Sequence, residues 1–281
     1  VSRTTRRAVV AGLAVSLPAG ALAAAPPLRL SGKFVQGGFA IGATEPHARI
    51  SVDGAPVGAA SDRGFFVIGF DRDAGPSAKV QVQTDNGSAE EAIVVAPGDF
   101  DVQKIDGLPQ DQVTPQAPEL LERIAREAER KAVGFASNVD ADEFRTGFVM
   151  PLKATRVSGR FGGQRILNGV PNRPHYGADL AAPIGTPVQA PAAGTVCFAE
   201  TGMHFEGGLI MIDHGQGLVS MYLHLSKVCV QKGERVTQSQ PIGAVGAEGR
   251  ATGPHLCWRM KWRGRNLDPT LMIGAKPPLV V

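Results

Sequence analysis

The stretch from Ala181 to Gly246 limits the fold most. "AAPIGTPVQAPAAGTVCFAE" continues into "GGLIMIDHGQGLVSMYLHLSKVCVQKGERVTQSQPIGAVG". These are short Val/Ile/Leu runs cut by Gly and Pro, which is how strands between tight turns are written. A helix would need apolar residues three and four apart, and almost no such spacing occurs. An all-β region is therefore predicted over 148–281, and five of the six histidines fall in it.

Residues 28–97 predict a second, smaller β domain. In "ARISVDG", Ile50 and Val52 alternate up to an Asp53-Gly54 turn. In "GFFVIGF", Phe66, Ile68 and Phe70 share a face. Val80 and Val82 precede an Asn86-Gly87 turn, with Ile93 and Val95 after it. Several short strands with turn signals predict an immunoglobulin-like sandwich. Between the two lies a connector, 98–147. Its first part, "GLPQDQVTPQAP", reads as irregular. "PELLERIAREAERKAV" then reads as a helix from Pro118 to about Gly134, with Leu121, Ile124, Ala125 and Ala128 on one stripe. The expectation is a spacer helix packed on one of the domains.

The first residues have the layout of an export signal. Arg3, Arg6 and Arg7 precede an apolar run from Ala8 to Leu17, and small residues close it at Ala21–Ala23. The paired arginines are twin-arginine-like. Cleavage after Ala23 is expected, which places the protein in the periplasm or cell envelope. The formal charge is +3, from 29 basic and 26 acidic residues. The three leader arginines account for the excess, so the mature chain is neutral. That balance gives no nucleic-acid or membrane-surface partner. No later segment is apolar for the ~20 residues a membrane span needs. Export also implies an oxidising compartment. The cysteines number 3, at 197, 229 and 257, so one thiol lacks an internal partner. Cys197 and Cys229 lie on strands away from the histidines and make the natural disulfide pair.

Three separated segments offer metal-ligand or titratable groups. "HYGAD" spaces His175 and Asp179 four apart, and imidazole with carboxylate suits zinc. "MYLHL" carries His224, with Tyr222 on the same face of a strand. "GPHLCW" puts His255 and Cys257 on one face, since residues i and i+2 of a strand point the same way.

From Gly159 to Asp268 the chain resembles the catalytic domain of the lysostaphin-type zinc metallopeptidases, bacterial cell-wall endopeptidases of the duplicated hybrid motif fold. The resemblance rests on "HYGADLAAPIGTPVQAPAAGTV", "MYLHLS", "KGERVTQSQPIGAVG" and "TGPHLCW". It implies antiparallel sheets forming a groove with one Zn²⁺ per chain on its floor. His175 and Asp179 would be zinc ligands, and His224 and His255 the catalytic pair. The family's third ligand is the second histidine of H-x-H, and this chain has Cys257 there. The implied activity is hydrolysis of peptide cross-links of peptidoglycan by a zinc-activated water. The substrate would be a D,D-cross-link where the host has a periplasm, a glycine bridge being the family's other class.

Four readings of Cys257 stay open: zinc ligand, mark of a silent site, disulfide half, or nucleophile beside His255. Thiolate is a good zinc ligand. It also donates more charge than imidazole, so a Cys257→His variant is expected to work faster or at lower pH. A silent site would make the protein a peptidoglycan-binding module or an amidase-activating regulator with a partner in the envelope. Three further residues are candidates for substrate contact: Arg165, Asn168 near the metal, and His204 on a loop at the groove rim. His214 in "MIDHG" reads as structural.

Overall fold

The computed structural model describes residues 25–153 and 155–279. The expected leader, 1–23, lies outside them. The protein is mainly β. The N-terminal part forms two sheets, one of three strands (Arg29–Lys33, Phe39–Ala43, Phe65–Gly69). The other has four (Ala55–Ala59, Arg49–Val52, Ser77–Thr84, Gly87–Val94, in spatial order). The alternation read from the sequence holds: Ile50, Val52, Phe66, Ile68, Phe70, Val80, Val82, Ile93 and Val95 are all buried. Asp53 and Gly54 both have positive φ, 53° and 79°. That is the type I′ geometry which matches the twist of the strands it joins.

The C-terminal part is a ten-stranded sheet. Its central strands are Gly194–Met203, Gly207–Asp213, Leu218–Val228, His255–Trp262 and Ala178–Ala181, in that spatial order. Both faces are covered, and alternation sorts the side chains between them. On the inner face Leu218, Tyr222, Leu256, Trp258, Met260 and Trp262 join the large core. On the other face Val219, Met221, Leu223 and Cys257 join Phe198, Leu209 and Met211 in a smaller cluster.

The helix Pro118–Phe135 packs on this second face. A Cβ at Gly134 would stand 2.7 Å from Met211 Sδ and 3.1 Å from Phe198 Cβ, so glycine permits the close approach. The face that turns inward carries Glu127 and Gly134 as its buried residues. The expected stripe is thus only partly turned inward: Ile124 is half-buried, but Leu121 is 47% exposed, and Ala125 and Ala128 are exposed. The buried line holds because Glu127 is bonded. Arg123 Nε donates to it at 2.8 Å and the His204 backbone N–H at 2.9 Å. A buried carboxylate with such partners beats a weak apolar stripe.

The connector is more ordered than its composition implies. Val102–Ile105 is a strand that pairs in parallel with Gln164–Leu167, and Gln110–Val113 is a single helical turn. The large core is continuous between the N-terminal sheets and the ten-stranded sheet. A Cβ at Gly69 would lie 2.8 Å from Leu267 and 3.1 Å from Trp262, and Arg265 donates to the Gly69 carbonyl at 2.9 Å. Among the described residues, no helix is long and apolar enough to cross a membrane.

Candidate metal centre

Sheet register builds the site. Asp179 lies opposite Cys257 in the antiparallel pair of Ala178–Ala181 with His255–Trp262. His175 sits just before the first of these strands, held by its N–H to the Gly163 carbonyl at 2.8 Å. Gly177 lets the chain pass: a Cβ there would meet Arg259 Cγ at 2.6 Å and Cys257 Sγ at 3.2 Å.

His175, Asp179 and Cys257 are all buried, and one ligand atom from each lies within 4.8 Å of the others. His175 Nε2 is 3.0 Å from Asp179 Oδ1 and 3.4 Å from Cys257 Sγ. His175 Nδ1 faces the Arg160 carbonyl at 3.1 Å, so its N–H donates there and Nε2 keeps its lone pair for the centre. Arg165 Nη2 donates to Asp179 Oδ2 at 2.7 Å, which fixes the carboxylate. Asp179 Oδ1 is then a buried oxygen without a hydrogen-bond partner. Such an orphan acceptor, aimed at an imidazole nitrogen and a sulfur, fits a metal ion. Burial alone raises the Asp179 pKa, but without a metal a protonated His175, then Arg165, hold the carboxyl well below its usual range, and a bound cation would take the place of that His175 proton. One N, one O and one S donor leave a fourth tetrahedral position open.

Two further imidazoles flank the group. The His224 and His255 rings are 4.7 Å apart between centroids. Each donates Nδ1–H to a backbone carbonyl, His224 to Glu248 at 2.7 Å and His255 to Gly253 at 2.8 Å. That leaves Nε2 of both as a proton acceptor. Burial pushes the His224 pKa down to about 4 and lowers that of His255. Both are therefore neutral at neutral pH.

Strand alternation misplaces His224. It predicts a shared face with Tyr222, yet Tyr222 is fully buried in the large core while His224 stands beside His255. The cause is backbone: His224 has φ 65°, in the left-handed region. A residue there turns its side chain to the opposite face, at a cost of order 1–3 kcal/mol. His214 is structural as expected. Its ring bonds the Ala193 carbonyl and Ser220 Oγ at 2.6 and 2.7 Å.

Other expectations need correcting. Asn168 does not approach the centre: its Nδ2 donates to the Leu108 carbonyl at 2.7 Å and its Oδ1 accepts from Leu108 N–H. His204 is buried rather than on a rim, and its Nε2 bonds the Asp111 carbonyl at 3.2 Å. Both are drawn in by the connector, whose order composition did not reveal. Cys197 and Cys229 are free thiols, as is Cys257. Cys197 points into the small cluster under the helix, whereas Cys229 is exposed beyond the end of its strand. Arg165 is at the centre, but it faces Asp179. One neighbour escaped the sequence reading: Arg259 Nε reaches Cys257 Sγ at 3.3 Å. The alternation that joins His255 to Cys257 extends to Arg259 and Lys261, and it was there to be read.

Known proteins resemble the chain over the segment that carries these residues. The family model of Peptidase family M23 matches residues 173–269. The peptidoglycan DD-endopeptidase ShyA of Vibrio cholerae is 43% identical over 115 residues, 40% of this chain and 26% of that protein. The DD-carboxypeptidase/endopeptidase Mpg of Neisseria meningitidis is 38% identical over 133 residues, 47% of this chain and 30% of that protein. The matches thus span less than a third of these curated relatives. A crystal structure of a Pseudomonas aeruginosa protein assigned to peptidase M23 is 31% identical, with a TM-score of 0.67, over 86% of this chain and 96% of that one. A likeness that runs through nearly the whole of both chains, together with the family match over the metal group, shows that the chain belongs to peptidase family M23.

Proposed function

We propose that the protein is an exported zinc endopeptidase that cuts peptide cross-links of peptidoglycan. One observation carries the reading: three buried ligand atoms converge beside two neutral imidazoles whose Nε2 atoms are free. His175, Asp179 and Cys257 would hold one zinc, which supplies Lewis acidity and a hydrolytic nucleophile. Arg165 holds Asp179 in its ligating orientation, and Arg259 does the same for the Cys257 sulfur. Nε2 of one histidine accepts the proton of the attacking water. That imidazolium then returns the proton to the leaving amine, while the other histidine, neutral and 4.7 Å away between ring centroids, offers its Nε2 as a second acceptor that orients the water. The substrate class is supported by the relatives named as DD-endopeptidases, and it places the activity outside the cytoplasm.

The test is hydrolysis. Full-length mature protein should release monomeric muropeptides from purified sacculi, lose that activity to a chelator, and regain it with added zinc. Zinc-loaded protein that binds sacculi without releasing fragments would favour the silent regulator instead.

A further inference from the structure

The two sides of the metal group differ in charge. On one side lies a cavity of about 660 Å³ whose lining mixes signs, with Asp101 and Asp179 beside Lys104, Arg160 and Arg165. On the other lies a cavity of about 470 Å³. Arg165, Arg173, Arg250, Arg259 and Lys261 line this second cavity together with His175, and no carboxylate does.

Arg165 is paired with Asp179 and Arg259 with the Cys257 sulfur, but among the described residues Arg173, Arg250 and Lys261 have no carboxylate partner. Arg250 and Lys261 stack on aromatic rings, Phe205 at 4.7 Å and Phe135 at 4.4 Å, contacts which orient a charge without cancelling it. Arg165 Nε is buried and has no hydrogen-bond partner. The carboxylate of Glu206, whose charge acts on Arg250 and Arg259, is already taken by Lys131. Burial, then mutual repulsion, lowers the pKa of Arg250 to about 10 and that of Lys261 below its usual value. Three unpaired cations beside two paired ones, in a cavity that no carboxylate among the described residues lines, favour an anionic ligand.

We infer that this basic cavity is a carboxylate subsite. It takes a free carboxylate of the peptide close to the scissile bond, which selects cross-links between carboxylate-bearing amino acids over glycine bridges. The inference rests on the peptidase reading for its position beside the reacting bond. The cavity's preference for a carboxylate can be measured without turnover.

The experiment uses the full mature protein and three peptides. These are a cross-linked muropeptide dimer, the same dimer with its carboxylates converted to carboxamides, and a pentaglycine-bridged peptide. For the zinc-loaded enzyme, amidation should raise KM roughly tenfold, the worth of one or two charge-assisted hydrogen bonds, with a much smaller change in kcat. Arg173→Gln and Lys261→Gln should each raise KM for the free-carboxylate dimer and leave that for the amidated dimer unchanged. Equal KM for both dimers, equal weakening of both by the variants, or equally efficient cutting of the glycine bridge would overturn the subsite. Calorimetry on the metal-free protein separates the two claims. Tighter binding of the free-carboxylate dimer without any hydrolysis would uphold the subsite while the peptidase reading fell, and binding without that preference would overturn it.

Discussion

At the scale of the residue, the candidate metal centre offers a sulfur where the family resemblance puts a nitrogen. His175 and Asp179 were legible because their spacing before a strand brings both to one point. Cys257 was legible because it shares a face with His255. His224 entered the candidate site only through the family resemblance, since alternation alone puts it in the wrong layer, and a positive φ of 65° is not written in the motif. Two outcomes follow at this scale. His224→Ala and His255→Ala should each lower kcat by about 10²–10⁴ while keeping bound zinc, measured by metal analysis beside turnover. The acid limb of the kcat profile should lie below pH 6.5. Burial depresses both imidazoles, to about 4 for His224, so the base stays unprotonated at pH values where a free histidine would carry charge.

At the scale of the element, the helix Pro118–Phe135 and the strand Leu218–Val228 fix what the sheet presents. The helix was legible in existence and extent, but its inward face was not. A buried Glu127 bonded by Arg123 and the His204 N–H replaces the expected apolar stripe, and only tertiary partners make that favourable. Gly134→Val should cost about 1–3 kcal/mol in chemical denaturation, through collision with Met211 and Phe198. The turn before that strand carries a second test, since His214 there bonds Ser220 on the strand. His214 is buried, and burial lowers its pKa to about 4. Its neutral form contributes fully above the unfolded pKa near 6.5, and the contribution is lost as pH falls towards 4. Between pH 6.5 and 5 the loss should be about 2 kcal/mol for this group. A His214→Gln variant, less stable at neutral pH, should show the shallower dependence when unfolding is followed at both pH values.

At the scale of the whole molecule, the N-terminal sheets are part of the same core as the peptidase sheet. The two β regions were legible from their turn-bounded strands, whereas their fusion was not, because Trp262 and Leu267 meet Gly69 across nearly 200 residues of sequence. The full chain should therefore unfold in one cooperative transition, and removing 25–97 should destabilise the remainder by exposing Trp262 and Leu267. Two separate calorimetric transitions would contradict this. The charge asymmetry of the groove also belongs to this scale, since Arg165 and Arg173 come from one segment and Arg250, Arg259 and Lys261 from another, and only the fold brings the two together. The central claim is that His175, Asp179 and Cys257 together hold a catalytic zinc. The most direct measurement is the zinc content and affinity of the mature protein against Cys257→Ser. One zinc per chain in the wild type, with affinity lowered at least tenfold in the variant, is the predicted result. A metal-free wild type, or zinc held equally well without the thiolate, would contradict it.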